Sequence, residues 1–291
     1  MNKSKITAYT ALATIMSASA AHADLSLSGL YQGNVSSGDN NSGTSHAMST
    51  SSVYVTYGST LDNGMGLSAG FSITGASMGF STAIDTGMGT IGFGQIHSSA
   101  VDGMDSMPAG ATAVWSNSRL NSTTSYSDGD VDEGMGIKYT SPSINGWTVA
   151  VSMGEDTANT FTKPGTRNTS IAAKGSLMGL SLAAGAVDDS DGTDDNFMTV
   201  GYSVAGVSMG YGVYDDDNGS ESTIIGLNTS VAGLSLGYTF EDLDATTDKD
   251  ASVYSVGKNL GGMNVTLQFT DIDDGSAVDN QAWNIIYSVG F

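Results

Sequence analysis

Apolar and polar residues alternate along most of the chain. Residues 147–153 are Trp-Thr-Val-Ala-Val-Ser-Met, and residues 234–240 are Leu-Ser-Leu-Gly-Tyr-Thr-Phe. The same period of two recurs at 180–186, 207–213 and 263–269. Because successive side chains of a β-strand point to opposite faces, this period predicts strands with one apolar and one polar face.

Two kinds of connection separate these segments. The short ones are apolar or glycine-based: Val204-Ala205-Gly206, Val231-Ala232-Gly233 and Leu260-Gly261-Gly262. The longer ones are acidic and lie at about 188–195, 215–221, 241–250 and 271–279. A short turn, a strand, a long loop and another strand repeat in this order, which predicts an up-and-down meander built from hairpins.

We predict sixteen strands, with ends defined to within a few residues. They lie at about 24–33, 51–59, 65–73, 76–84, 88–96, 134–141, 146–154, 167–176, 180–187, 195–203, 207–215, 221–230, 234–241, 251–259, 263–272 and 280–291. An even number places both ends of the barrel on the short-turn side, as in closed bacterial barrels. Segments 111–115 and 120–126 could add a hairpin, so a barrel of eighteen strands is the alternative.

The direction in which the apolar face points separates a soluble β-sandwich from a membrane barrel. Strands of about 9–11 residues are long enough to cross a bilayer when tilted. Aromatic residues on the apolar register lie towards strand ends, where a membrane interface would place them. They are Tyr57, Trp147, Phe240, Phe269, Trp283, Tyr287 and Phe291. Since backbone groups in lipid must be paired internally, we predict an all-β fold, a closed antiparallel up-and-down transmembrane β-barrel. Sixteen strands enclose an aqueous channel.

The first 23 residues resemble an export signal. Lys3 and Lys5 precede a mostly apolar run over 6–20, and Ala21-His22-Ala23 is a small-x-small cleavage site. We therefore expect a signal peptide at 1–23 and one barrel domain at 24–291. The chain has no cysteine, so no disulfide stabilises the exported protein. No apolar run of 18 residues follows the signal, and so we predict no transmembrane helix.

Composition and net charge exclude some classes of fold and of binding partner. The 39 glycines and 3 prolines disfavour a helical protein. Thirty acidic residues against nine basic ones give a formal net charge of −21, which would repel nucleic acid and permits cationic partners.

Enzymatic chemistry is not indicated. Beyond the signal, His46 and His97 are the histidines, both in predicted loops without a nucleophile motif. Acidic clusters occur in the long loops, and we interpret them as solvated charge. Ca²⁺ binding there stays open, although the loops lack the calcium-loop pattern that ends in Glu. These clusters are Asp188, Asp189, Asp191, Asp194 and Asp195; Asp215 to Asp217; and Asp271, Asp273 and Asp274.

Three segments carry a resemblance to the general porins of Gram-negative outer membranes. The final segment, Trp283-Asn-Ile-Ile-Tyr-Ser-Val-Gly-Phe291, resembles the last strand of that family, with apolar or aromatic residues at alternate positions and a terminal Phe. Residues 136–147 resemble the strand, turn and strand that follow the constricting third loop. Residues 24–31 resemble the first strand of a porin.

The resemblance implies a homotrimer in the outer membrane, in contact with lipid and lipopolysaccharide. It implies that Trp283, Tyr287 and Phe291 form the signal for the barrel-assembly machinery. It also implies that the third loop, 97–133, folds into the lumen and sets acidic side chains against basic ones on the wall. The candidates are Asp102, Asp105, Arg119, Asp128, Asp130, Asp132 and Glu133 in the loop, with Lys138 and Lys174 on the strands. A family-like cluster of arginines on the wall is not present.

Two functions follow. The first is passive diffusion of small hydrophilic solutes and ions through an open pore, with a preference for cations because of the acidic composition. The second is an outer-membrane barrel with a plugged lumen that acts as an adhesin or surface-binding protein. Small residues dominate the polar face of the predicted strands, which favours the open pore.

Overall fold

The chain forms a barrel of sixteen antiparallel strands. The computed structural model describes residues 24–38, 41–74, 77–94, 99–101, 104, 108–111, 136–155, 167–188, 194–216, 220–244, 249–273 and 280–290. The strands are β1 Asp24–Gly38, β2 Asn41–Thr60, β3 Gly66–Thr74, β4 Ser77–Asp85, β5 Thr90–Gly94, β6 Gly136–Thr140, β7 Thr148–Glu155, β8 Arg167–Leu177, β9 Leu180–Asp188, β10 Asp194–Val204, β11 Val207–Asp216, β12 Ser220–Val231, β13 Leu234–Asp244, β14 Lys249–Asn259, β15 Met263–Asp273 and β16 Asn280–Gly290. Within these ranges, no helix is long and apolar enough to cross a membrane.

The sheet closes on itself. Each strand pairs with its neighbours in chain order, and β1 pairs with β16, with Leu30 opposite Gly290 and Gly38 opposite Ala282. β5 pairs directly with β6, from Thr90 opposite Thr140 to Gly94 opposite Gly136. This pairing leaves no room in the wall for a further hairpin from 97–133. Sixteen strands are therefore confirmed, and the alternative of eighteen is wrong.

The short connections are tight turns with a left-handed backbone. Ala205 and Gly206 have φ of 50° and 81°, and Ala232 and Gly233 have φ of 52° and 76°. Positive φ at both central residues defines the type I′ turn, whose twist matches that of the flanking strands. The sequence predicted these positions as short turns.

The barrel is apolar outside and polar inside. The exposed large apolar side chains alternate along the strands, as Met198 and Tyr202 do on β10 and Ile225 and Leu227 on β12. Buried polar residues occupy the opposite register: Asn34, Ser36, Ser52, Ser170, Thr199, Ser222, Thr239, Glu241, Ser255, Gln268, Thr270 and Asn284. A soluble protein buries its apolar side chains, and this inversion is what a membrane barrel requires. The predicted direction of the faces is confirmed.

Aromatic side chains line the outer surface in cross-strand rows. Tyr238, Tyr254, Phe269 and Trp283 lie opposite one another on consecutive strands β13 to β16. The ring centroids of Tyr238 and Tyr254 are 5.1 Å apart, and those of Tyr254 and Phe269 are 6.4 Å apart. Such pairs stabilise neighbouring strands beyond the burial of their area.

The first hairpin differs most from the sequence prediction. β1 and β2 extend to Gly38 and from Asn41, whereas the alternation predicted strands only at 24–33 and 51–59. The added residues are mainly Ser, Asn, Gly and Thr, which lack an apolar face. Backbone hydrogen bonds between two strands do not need such a face, so the ladder continues where the alternation stops. β5 begins at Thr90 instead of 88, and β6 ends at Thr140 instead of 141, whereas residues 95–96 and 134–135 of these two predicted strands lie outside the described residues.

Candidate functional site: the third loop on the inner wall

The loop that follows β5 is attached to the inner wall by two serines. The Ala100 N–H donates to Ser170 Oγ at 2.8 Å and to Ser152 Oγ at 2.9 Å. Ser152 and Ser170 lie opposite each other on β7 and β8, and their hydroxyl oxygens are 2.5 Å apart. Ser99 Oγ is 3.1 Å from Ser170 Oγ. Ser99 and Ala100 are buried, so these bonds are shielded from water.

Lys138 on β6 adds a charged contact to the same place. Its Nζ donates to the Ser99 carbonyl at 3.0 Å. The inner register of β6 carries this side chain, since Ile137 and Tyr139 face outward. The structure therefore places this predicted base on the wall to which the loop is attached, with its ammonium group on the loop backbone.

An apolar cluster continues the contact across β9 and β10. Val101 and Met104 are buried against inner-face residues that include Ala172, Val187 and Phe197. The rings of Phe197 and Tyr214 stack with centroids 6.2 Å apart. At Gly185 an added Cβ would lie 2.9 Å from Val101 Cγ1, so the missing side chain gives the loop its space.

A tight turn of four small residues, Pro108–Ala111, lies on β10, β11 and β12. The Ala111 N–H donates to the Pro108 carbonyl at 3.0 Å, and Gly110 has φ of 85°. Glycine with positive φ at the third position is typical of a type II turn. The described parts of the loop thus follow the inner wall from β6 to β12.

A recess of about 460 Å³ lies between this loop and the wall of β7 to β10. Met104 and Ala109 border it from the loop, and Thr148, Lys174 and Thr199 border it from the wall. Lys174 lies on the inner register, opposite Thr148 and Ala183. The second predicted base therefore lines an open recess between the loop and the barrel wall.

Glu241 places a buried carboxyl group on the inner face of β13. Ser222 Oγ on β12 donates to Glu241 Oε1 on β13 at 2.9 Å, and the carboxyl group is buried. Alternation along the strand did not single out this residue, because it lies where the strand meets an acidic loop. Apolar residues also occur on the inner face nearby: Ala251, Val253, Ile272 and Ala282 are buried together on β14 to β16.

Comparison with known proteins agrees with this architecture. A family model described as Gram-negative porin matches residues 8–290. The chain belongs to this family. No curated protein sequence matches the chain.

Solved porin structures share the fold of this porin. A triple mutant of Rhodopseudomonas blastica porin is 16% identical, with a TM-score of 0.69 over 92% of this chain and 100% of that one. An anion-selective porin from Comamonas acidovorans is 14% identical, with a TM-score of 0.68 over 93% and 100%. A loop L8 deletion mutant of OmpT from Vibrio cholerae is 13% identical, with a TM-score of 0.67 over 92% and 99%. At these identities the likeness concerns the fold.

Many predicted site residues of this porin lie outside the described residues. They are Asp102, Asp105, Arg119, Asp128, Asp130, Asp132, Glu133 and Phe291, and the predicted signal peptide at 1–23 lies outside them too. Their roles stay predictions. Of the predicted assembly signal, Trp283 and Tyr287 lie on the outer face of β16, where Trp283 pairs with Phe269.

The described residues contain no candidate metal site. Where the structure is described, no group of three or more His, Asp or Glu residues is placed to hold a metal ion. Several predicted Ca²⁺ ligands, such as Asp189 and Asp191, lie outside that part of the chain. Ca²⁺ binding by the acidic loops stays a prediction.

Sequence reasoning missed the attachment of the loop. Ser152, Ser170 and the wall glycines belong to the polar register, and alternation assigned them to that register. It did not distinguish residues that face water from residues that face the loop. Small side chains at matching cross-strand positions were the available signal.

Proposed function

We propose that this porin is a water-filled channel for passive diffusion of small hydrophilic solutes and ions, with a preference for cations. The observation that carries the proposal is the closed wall of sixteen strands with its third loop on the polar inner face. A lumen of this width is too large for wall side chains to fill.

The charges on the inner face support the cation preference. Among the residues with described side chains, the inner register carries Asp24, Asp85 and Asp195 against Lys138 and Lys174, and the carboxyl group of Glu241 is buried away from the lumen water. Lys138 is engaged with the Ser99 carbonyl. Fixed carboxylates raise the local concentration of cations and lower that of anions. Since one similar structure is named as anion-selective, the sign of selectivity must come from charge and not from the fold.

Recording from planar bilayers tests the proposal. Purified protein should produce stepwise conductance, and a KCl gradient should give a reversal potential of the sign that cation flow produces. Heat-unfolded protein is the control and should give no steps. Absence of steps from the folded protein would favour the plugged, surface-binding barrel, and a reversal potential of the opposite sign would refute cation preference.

We further propose that the porin is exported by the signal peptide at 1–23, inserted by the barrel-assembly machinery and assembled as a homotrimer. The aromatic residues of β16 support insertion by this route, because they match the pattern of the family signal. N-terminal sequencing of protein from outer membranes should begin at Asp24. Cross-linking in native membranes should give a product of three subunits, and a product no larger than one subunit would contradict the trimer.

A further inference from the structure

Three glycines stand directly opposite one another on the inner wall. Gly201 of β10 pairs with Gly210 of β11, and Gly210 pairs with Gly226 of β12. All three occupy the inner register, since Tyr202, Tyr211 and Ile225 beside them face outward. We call Gly201, Gly210 and Gly226 the glycine row.

The turn Pro108–Ala111 lies directly on the glycine row. An added Cβ at Gly210 would lie 2.5 Å from Ala109 N and 2.6 Å from Ala109 O. An added Cβ at Gly226 would lie 2.5 Å from Ala111 Cα. Because these are backbone atoms, they cannot rotate away as the end of a side chain can.

The turn is itself adapted to this approach. An added Cβ at Gly110 would lie 2.5 Å from the Ser208 carbonyl oxygen and 3.0 Å from Asn228 N, both wall backbone. Its φ of 85° also favours glycine. Glycine on both sides of the contact therefore lets the two backbones touch with no side chain between them.

We infer that the glycine row is the seat that fixes the third loop, so that Gly201, Gly210 and Gly226 are positioning residues that set the aperture of the channel. The serines of β7 and β8 hold the loop at Ala100, and the glycine row holds it at Pro108–Ala111 on β10 to β12. Val101 and Met104, which lie between these two attachments, are buried against the wall. Contact by van der Waals packing is insensitive to salt, unlike an ionic attachment.

Gly210→Ala and Gly226→Ala test the seat. Ordinary contact between carbon atoms needs about 3.5–4.0 Å, so each added methyl group must push the turn off the wall by about 1 Å. We expect altered single-channel conductance and added current noise in both variants, at low and at high salt. Gly92→Ala is the matched control, because it also faces the lumen and its nearest contact would be 3.9 Å away.

A rescue separates seating from general damage to the wall. At Gly201 an added Cβ would meet the Ala109 Cβ at 2.6 Å and the rotatable Ser181 hydroxyl at 2.5 Å, but Ala109 N only at 3.6 Å. Ala109→Gly removes that methyl group and should restore normal conductance to Gly201→Ala. The same change should fail to rescue Gly210→Ala, whose contacts are with the Ala109 backbone.

A second readout does not depend on conduction. The chain has no cysteine, so Met104→Cys gives a single thiol at a buried loop position. Maleimide labelling of this thiol in folded protein should be several-fold faster when Gly210→Ala or Gly226→Ala is present, and unchanged with Gly92→Ala. Heat-modifiable electrophoretic mobility identifies the variants that fold. If Gly210→Ala does not fold, the comparison of Gly201→Ala with and without Ala109→Gly still tests the seat.

The conductance test of the seat rests on the proposed function, because it needs an open channel, whereas the labelling test does not. If Gly210→Ala and Gly226→Ala conduct and label as Gly92→Ala does, the seat is refuted while the channel stands. If the unmodified protein does not conduct but labelling follows the expected pattern, the channel is refuted while the seat stands.

Discussion

His46 Nε2 lies 2.6 Å from the phenol oxygen of Tyr287, across the intervening strand β1. The two rings are nearly parallel, with an interplanar angle of 5° and centroids 6.1 Å apart. Gly33 on β1 is the residue opposite Tyr287. Because glycine presents no side chain there, the rings meet over the backbone of β1. The contact thus joins β2 to β16 across the closure of the barrel.

Loss of this contact should weaken the closure. We expect His46→Ala and Tyr287→Phe each to lower the free energy of unfolding by about 0.5–1.5 kcal/mol, the usual contribution of one hydrogen bond. Urea unfolding in detergent or liposomes measures this. The double variant should cost less than the sum of the two singles, since both remove the same bond. Additive losses would show that the residues act independently.

The short turns allow a test of backbone strain. Gly206 and Gly58 both have open space where a Cβ would be, but only Gly206 has a positive φ, of 81°. Gly206→Ala should therefore destabilise the barrel by about 1–2 kcal/mol, the cost of a left-handed conformation for alanine. Gly58→Ala should be neutral or slightly stabilising, because it reduces the entropy of the unfolded chain. Equal unfolding midpoints for the two variants would contradict this explanation.

The serine attachment of the loop predicts a non-additive pair. Ser152→Ala or Ser170→Ala alone leaves the other hydroxyl to accept from the Ala100 N–H. The double variant leaves a buried N–H without an acceptor, which costs roughly 1–3 kcal/mol. Its loss of stability should exceed the sum of the singles, and labelling of Met104→Cys should rise only in the double variant. The exposed pair Ser203 and Ser208, 2.9 Å apart, is the control and should give no such excess.

Inner-face charges predict opposite shifts in selectivity. Lys174→Met should raise the ratio of cation to anion permeability, and Asp85→Asn should lower it while keeping an acceptor for the Gly87 N–H. Lys258→Met is the matched control, since Lys258 lies on the outer register opposite Val265. Reversal potentials in a KCl gradient give the ratios. If Lys258→Met shifts the ratio as much as Lys174→Met does, the selectivity does not arise from charges in the lumen.

The strands of the wall were predictable from the sequence because lipid on one face and water on the other require apolar and polar residues at alternate positions. Outward residues such as Met198 and Tyr202 must be apolar, and inward ones such as Thr199 must not. The turn at Ala205 and Gly206 followed from the interruption of this pattern. The polar extension of the first hairpin escaped prediction, because residues 34–38 and 41–50 lack the alternation of apolar and polar positions that marks the other strands.

The loop was only partly predictable. Its length and its place between β5 and β6 indicated a segment inside the lumen, but its route depends on contacts that alternation does not encode. Gly210 has the same place in the pattern whether it faces water or Ala109. The charged loop residues, from Asp102 to Glu133, lie outside the described part of the chain, and their roles stay predictions.

Pairing of β1 with β16 has a consequence for how the molecule is made. Until the final strand arrives, β1 and β15 each present a row of unpaired amide and carbonyl groups, which hydrocarbon cannot solvate. Partial insertion is therefore penalised, and we expect insertion into the bilayer and closure of the barrel to be coupled. We therefore expect a copy that lacks β16 to be excluded from the bilayer, so that closure selects for the complete sheet.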